Sequence, residues 1–303
     1  MNETPIQIKF WGVRGSIPTP GPRTLRYGGN TPCIEVQFPG QPLVILDAGS
    51  GIRELGKALL QQPEPVQAYI FISHFHWDHI QGLPFFKPAF KEGNSFTIFG
   101  CDEPHMPLNE IISMQMKPTF FPLAIEDMKA EVKFHPIREE TLELDGLRVI
   151  TKFLNHPGYA LGYRFEYQGK SFVYISDNEP YHGFQNRDMK DKPLSVEEEF
   201  ETLIEDKDSA LVDFIKDADL LIHDTQFFPE EYAEKVTWGH SPYNYTVDLA
   251  IRGQVRQLVL FHHDPDHSDE MIDRILELSR QYLKQHDFPI PCYAAQEGSV
   301  ITL

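Results

Sequence analysis

Two hydrophobic rhythms alternate along this chain. Short runs rich in β-branched and aromatic residues recur at 6–12 (IQIKFWG), 33–38 (CIEVQF), 43–49 (LVILDAG), 69–73 (YIFIS), 96–100 (FTIFG), 147–155 (LRVITKFLN), 219–224 (DLLIHD), 258–263 (LVLFHH) and 298–303 (GSVITL), and each predicts a strand. The stretch 162–177 carries two more, joined by a turn at Gln168 and Gly169. Elsewhere apolar residues return every three or four positions, the period of a helix with one buried face. Such segments span 51–62, 241–253 and 268–286; in the second, Ser241 offers an N-cap and Pro242 fits the first helical position. Alternation of strand and helix, without an internal repeat or low-complexity linker, predicts one α/β domain over residues 1–303. The polar, acidic stretch at about 181–207, with its run EEEFE, reads as a surface insertion with a solvated face.

A chain of 303 residues, 41% hydrophobic and 24% charged, has the material for a substantial core. Its net charge of -18, with histidine neutral, repels polyanions and argues against nucleic acid or an anionic membrane as a partner. Cys33, Cys101 and Cys292 are odd in number, far apart and in no CxxC pair, so they read as buried apolar side chains rather than as a disulfide framework or a thiolate metal site. The first residues, MNETPIQIKFWG, lack a basic region followed by an apolar one, and no run is long enough to span a bilayer. A cytoplasmic protein is expected.

Candidate chemistry concentrates at one strand end. Directly after YIFI, residues 74–79 read HFHWDH, three histidines and a carboxylate in six positions. Residues two apart on an extended chain share a side, so His74 and His76 can grip one ion while Phe75 and Trp77 turn into packing. Asp78 and His79 follow where the chain turns, facing a second ion. Further donors stand after other strand-like runs: His156, Asp177 and His262. Neighbours on a strand face opposite ways, so only one of His262 and His263 should reach such a site, and counting from LVLF favours His262. His105, His135, His182, His223, His267 and His286 read as surface or packing residues. Arg14, in a glycine-rich loop after the first strand, is either a phosphate-binding fork or an ordinary surface arginine. Phe120 and Phe121 in KPTFFPL offer either a base-stacking surface or core packing.

HxHxDH followed by a distant histidine, a strand-terminal aspartate and a late strand-terminal histidine resembles the metallo-β-lactamase superfamily of metallohydrolases, over nearly the whole chain. The resemblance implies a four-layer αβ/βα sandwich. It implies His74, His76 and His156 on one metal, Asp78, His79 and His262 on the other, and Asp177 bridging. Asp47 matches the aspartate that orients a ligand histidine from behind the site, though it also reads as a turn residue before glycine. WGHSP at 238–242 resembles the GHST motif of ribonuclease Z and related phosphodiesterases, with His240 on the phosphate or leaving oxygen and Asp224 orienting it. Asp224 stands where that pattern usually has Glu, and Pro242 where it has Thr. The stretches WGVRGSIPTPG and YGGNTPCIEV resemble the branch containing cyclic nucleotide phosphodiesterases and anti-Pycsar phosphodiesterases.

The resemblance therefore implies a binuclear metal-dependent phosphodiesterase, with 3',5'-cyclic nucleotides the expected substrates and a metal-activated water the expected nucleophile. His240, Asp224 and Asp78 are its candidate catalytic residues. A donor set of imidazole and carboxylate suits two Zn²⁺ ions, with Mn²⁺ or Fe tolerated. The alternatives are a ribonuclease Z-like endonuclease, a lactone or thioester hydrolase, and a metal-bearing sensor without turnover. A small nucleotide is the expected partner, and relatives imply a homodimer.

Overall fold

A computed structural model describes residues 5–181 and 207–303; the insertion expected at about 181–207, including His182, lies outside them apart from its two end residues. Among the described residues fourteen strands form two mixed sheets of seven. One contains β1 (Gln7–Gly12), β2 (Cys33–Gln37), β3 (Leu43–Leu46), β4 (Gln67–Phe71), β5 (Ser95–Gly100), β6 (Glu131–Pro136) and β14 (Val300–Thr302), in the order β14-β1-β2-β3-β4-β5-β6. The other contains β7 (Thr141–Leu144), β8 (Leu147–Phe153), β9 (Leu161–Tyr167), β10 (Lys170–Ile175), β11 (Leu220–Asp224), β12 (Leu258–Phe261) and β13 (Cys292–Ala294), in the order β13-β12-β11-β10-β9-β8-β7.

The sheets face each other across an apolar core and carry helices on their outer faces, giving the four-layer αβ/βα sandwich. Phe71 of β4 stacks on Phe99 at 4.5 Å and meets Phe165 of β9 edge-on at 5.3 Å, so one ring bridges the sheets. A second core buries Ile52, Leu55 and Leu59 of α1 (Ile52–Leu59) against Ile45, Ile70 and Ile98. The short helix α2 (Trp77–Ile80) follows β4. A third core packs α3 (Tyr243–Arg252) and α4 (Asp269–Gln285) on the other sheet through Val247, Leu249, Ile275 and Leu283. Cys33, Cys101 and Cys292 are buried, as expected of apolar thiols. Among the described residues no helix is long and apolar enough to cross a membrane.

Parallel pairing positions the site. β3 to β6 run parallel, as do β10 to β13, so the C-terminal ends of each set fall on one edge of its sheet. Polar residues at or just after the ends of β3, β4, β10, β11 and β12 are thereby collected together. Cross-sheet bonds hold the two edges: the Tyr163 hydroxyl donates to Ile72 O, and Leu161 N donates to Ser73 O at 2.9 Å.

Three strands have no clear apolar signal in the sequence. β6, β7 and β13 each form a sheet edge, and the first two alternate exposed with half-buried positions, so little hydrophobic residue is required of them. The start of α3 also differs from expectation. Pro242 itself is the N-cap residue, and the Ser241 hydroxyl donates to Asn178 O at 2.6 Å instead of capping the helix.

Candidate metal centre

At the shared edge, His74, His76, His156 and Asp177 each present one donor atom, all lying within 4.8 Å of one another. Asp78, His79 and His262 make a second such group, and Asp177 reaches both: Oδ2 lies 3.6 Å from His74 Nε2, while Oδ1 lies 3.2 Å from His79 Nε2 and 3.4 Å from His262 Nε2. These seven side chains come from the ends of β4, β8, β10 and β12 and from α2. His263 turns away, its Nε2 donating to Ala295 O at 2.9 Å while its ring packs edge-on against Tyr27.

The donors are oriented from behind. Asp47, at a left-handed φ of 58°, follows β3; its Oδ2 lies 2.9 Å from His79 Nδ1 and accepts from the Ser73 hydroxyl at 2.9 Å and the Tyr174 hydroxyl at 2.6 Å. Ser73 Oγ is in turn 3.1 Å from His74 Nδ1. His156 Nδ1 donates to Gly239 O at 2.9 Å. In these three imidazoles the outer nitrogen is engaged, so the inner one keeps its lone pair for the cluster. His262 also has a left-handed φ, 59°, which swings its ring off the strand line and into the site.

Two glycines make room. Gly239, at φ 89°, lies so close to the His156 ring that a Cβ there would collide with it, and a Cβ on Gly15 would collide with the His262 ring.

A divalent cation fits this arrangement. His79 Nε2 and His262 Nε2 face each other at 3.3 Å, and His76 Nδ1 lies 3.0 Å from both His74 Nε2 and His156 Nε2, so lone pairs converge without enough protons between them. Asp177 Oδ1, fully buried, has no hydrogen-bond partner. Burial raises the carboxyls of Asp78 and Asp177, but the surrounding imidazoles hold both well below the usual range. Burial pushes His156 down to about 4, leaving a neutral donor. Nitrogen and oxygen donors without thiolate suit zinc and tolerate other first-row divalent ions.

A family model described as a beta-lactamase superfamily domain matches residues 43–194, half of the chain, from β3 past Asp177. The chain belongs to the beta-lactamase superfamily. Ribonuclease Z of Methanosarcina acetivorans is 24% identical over 303 residues, covering 91% of this chain and 93% of its own. The metallo-beta-lactamase fold protein YhfI from Bacillus subtilis matches with a TM-score of 0.67 at 17% identity, covering 99% of this chain and 100% of that one. The short form of human tRNase Z matches at 0.62 and 16% identity, covering 97% and 98%. The two structures carry the fold.

Beside these seven donors sits a further pair. His240 Nδ1 is 3.0 Å from Asp224 Oδ2, and the same oxygen accepts from Ser241 N and Asn178 N, each at 3.2 Å. Burial lowers His240, but Asp224 outweighs it and the ring rises to about 8. His240 stacks on His262 at 4.9 Å and lines a cavity of about 490 Å³ together with His76, Asp78 and Asp177.

Three expectations need correction. Arg14 does not face this cavity. It is fully buried, with Nε donating to Gly28 O at 2.9 Å and Nη1 to the carbonyls of Asp264 and His267 at 3.0 and 2.7 Å, and Asp269 stands 3.8 Å away. Its guanidinium is committed to fastening loops, which leaves no fork for a phosphate. Trp77 does not pack: α2 begins there, which turns the indole out to 82% exposure, while Phe75 joins the core behind β4. Nor is Phe120 core, at 75% exposure; Phe121 meets Phe85 edge-on at 5.2 Å.

The sequence gives no prominence to Glu179, yet its buried carboxylate accepts from Thr237 N at 2.6 Å, Gly239 N at 3.0 Å and the Tyr232 hydroxyl at 3.0 Å, clamping the turn that leads into His240. Its only sequence signal is adjacency to Asp177, two residues upstream.

Proposed function

We propose that this chain is a metal-dependent phosphodiester hydrolase that uses two divalent ions. The observation that carries the reading is Asp177, whose two carboxylate oxygens face the two donor groups, with the His240–Asp224 pair beside them. The bound ions would supply Lewis acidity, neutralising charge on the phosphoryl oxygens and making a water acidic enough to attack at neutral pH. His74, His76 and His156 would hold one ion and Asp78, His79 and His262 the other, with Asp177 between them and Asp47 fixing the His79 ring.

The remaining work belongs to His240. With Nδ1 tied to Asp224, Nε2 is the nitrogen free to donate to a phosphoryl oxygen or to the departing alkoxide. The Asp224 carboxylate, by its charge and its hydrogen bond, pulls the ring toward the protonated form and so favours keeping that proton. Asp224, held by backbone amides, keeps the ring from turning.

On substrate, ribonuclease Z relatives aligned over nearly the whole chain favour an RNA phosphodiester, ahead of the 3',5'-cyclic nucleotide expected from the opening loop. The cyclic nucleotide remains the second reading, favoured by the net charge of -18. The same charge argues against nucleic acid only if the RNA must be gripped over many phosphates.

The protein as purified should carry close to two divalent ions and hydrolyse bis(4-nitrophenyl) phosphate, and Asp177→Ala should lose at least one ion together with turnover. Elemental analysis showing a fully active enzyme with a single ion would remove the two-metal reading.

A further inference from the structure

We propose that Trp77 is a substrate-binding residue whose indole stacks on the nucleobase next to the phosphate held at the metal centre. The inference rests on the phosphodiesterase reading and deepens it by naming the group beside the scissile phosphate.

Trp77 sits between two candidate metal donors, His76 and Asp78, as the first residue of α2, and lines the same cavity as Asp177 and His240. That cavity, about 490 Å³, is the size of a small-ligand site. Its floor is polar, formed by His76, Asp78, Asp177 and His240. Its wall at Trp77 is a large aromatic surface, 82% exposed and outside all three hydrophobic cores.

The other two tryptophans have protein partners. Trp11 is half-buried and its Nε1 donates to Glu35 Oε2 at 2.7 Å, while Trp238 is less exposed than Trp77, at 61%, and has the Lys235 ammonium 5.8 Å from its ring. Trp77 thus contributes little to folding, and the free energy of covering its indole is left for a ligand. In any nucleotide the base lies only a few bonds from its phosphate, so a phosphate over Asp177 brings a base within reach of an indole one residue from each flanking donor. Stacking is tolerant of base identity, because every base has a π-face. Trp77 should therefore select nucleotides over other phosphate esters without selecting among bases.

The test uses the metal-loaded protein and two variants, Trp77→Ala and Trp77→Phe. Calorimetry would compare affinity for thymidine 5'-monophosphate, which has a base, with affinity for methyl phosphate, which has none. Trp77→Ala should weaken thymidine monophosphate roughly 10- to 100-fold while methyl phosphate changes far less, and Trp77→Phe should restore most of the loss. Hydrolysis of 4-nitrophenyl esters of the same two phosphates should show the same contrast in kcat/KM, since the leaving group is common to both. Equal losses for both ligands, no loss for either, or a wild type that binds the nucleotide no better than methyl phosphate would each overturn the proposal. Absence of ester turnover in the wild type would instead count against the phosphodiesterase reading, and the calorimetric contrast would still decide on Trp77.

Discussion

His240 shows how the charge of one side chain is set by its neighbours. Buried imidazoles without a carboxylate partner lose their charge, as His263 does, pushed down to about 3 by burial, with Arg14 adding to the effect. His240 is just as enclosed, but the Asp224 carboxylate at 3.0 Å reverses the sign and carries it to about 8. His240→Ala should therefore keep its metal and lower turnover on phosphodiesters by roughly 10² or more, because the proton donor is lost and no donor to an ion is. Unchanged kinetics in a variant with full metal content would show that His240 stands by as a spectator. At this scale the donors are legible in the sequence because histidine and aspartate have few reasons to cluster at strand ends. Arg14 and Trp77 are not legible in the same way. An arginine after a strand can bind a phosphate or three carbonyls, and only the loops of residues 28 and 264–267, folded around it, decide for the carbonyls. A tryptophan inside an alternating motif is expected to pack, and only the helix starting at Trp77 turns it outward.

Between residues and molecule, the elements decide whether the donors stay in place. The turn before His240 has no regular structure to hold it, and Gly239 serves it twice: its carbonyl orients His156, and its missing Cβ lets the His156 ring approach. Glu179 holds that turn with a carboxylate that accepts three hydrogen bonds, while Asn178 O receives the Ser241 hydroxyl on the far side of His240. Removing Glu179 leaves three donors without their acceptor, at about 1–3 kcal/mol for each one that stays buried and unpaired. Glu179→Ala should melt several degrees lower and lose at least about tenfold in kcat, and Glu179→Gln, which keeps one acceptor oxygen, should fall between it and the wild type. Thermal melts and steady-state kinetics read the two effects separately; a folded Glu179→Ala with normal kcat would mean that the turn holds itself. None of this is visible in a hydrophobic pattern, since the clamp is polar and its partners lie 53 to 60 positions away. The central strands are visible in it because burial on both faces demands apolar runs. β6, β7 and β13 are not, because an edge strand demands so little.

For the whole molecule the open issue is how a chain with 27 basic and 45 acidic residues meets a phosphodiester. A long polyanion gripped along a basic face would release one counterion for most phosphates contacted, and binding would then fall steeply with salt. A net charge of -18 leaves little material for such a face, so any RNA would be held near the metal centre, where the proposed divalent ions and His240 would offset local charge. If contact is limited to about three phosphates, the logarithmic salt slope for single-stranded RNA should be no steeper than about -2, which costs less than roughly twentyfold between 50 and 200 mM salt. The ribonuclease Z relatives then lead to a specific expectation: cleavage of RNA with this shallow slope, and slower hydrolysis of 3',5'-cyclic nucleotides under the same conditions. A cyclic nucleotide carries one charge and should show almost no slope at all. Measuring kcat/KM for a precursor tRNA and for cyclic mononucleotides side by side, with zinc or manganese and across ionic strength, separates the two. Rapid hydrolysis of the cyclic nucleotide beside inert RNA would make the small ligand the substrate and assign the acidic surface a further role, exclusion of RNA from the same two-metal centre.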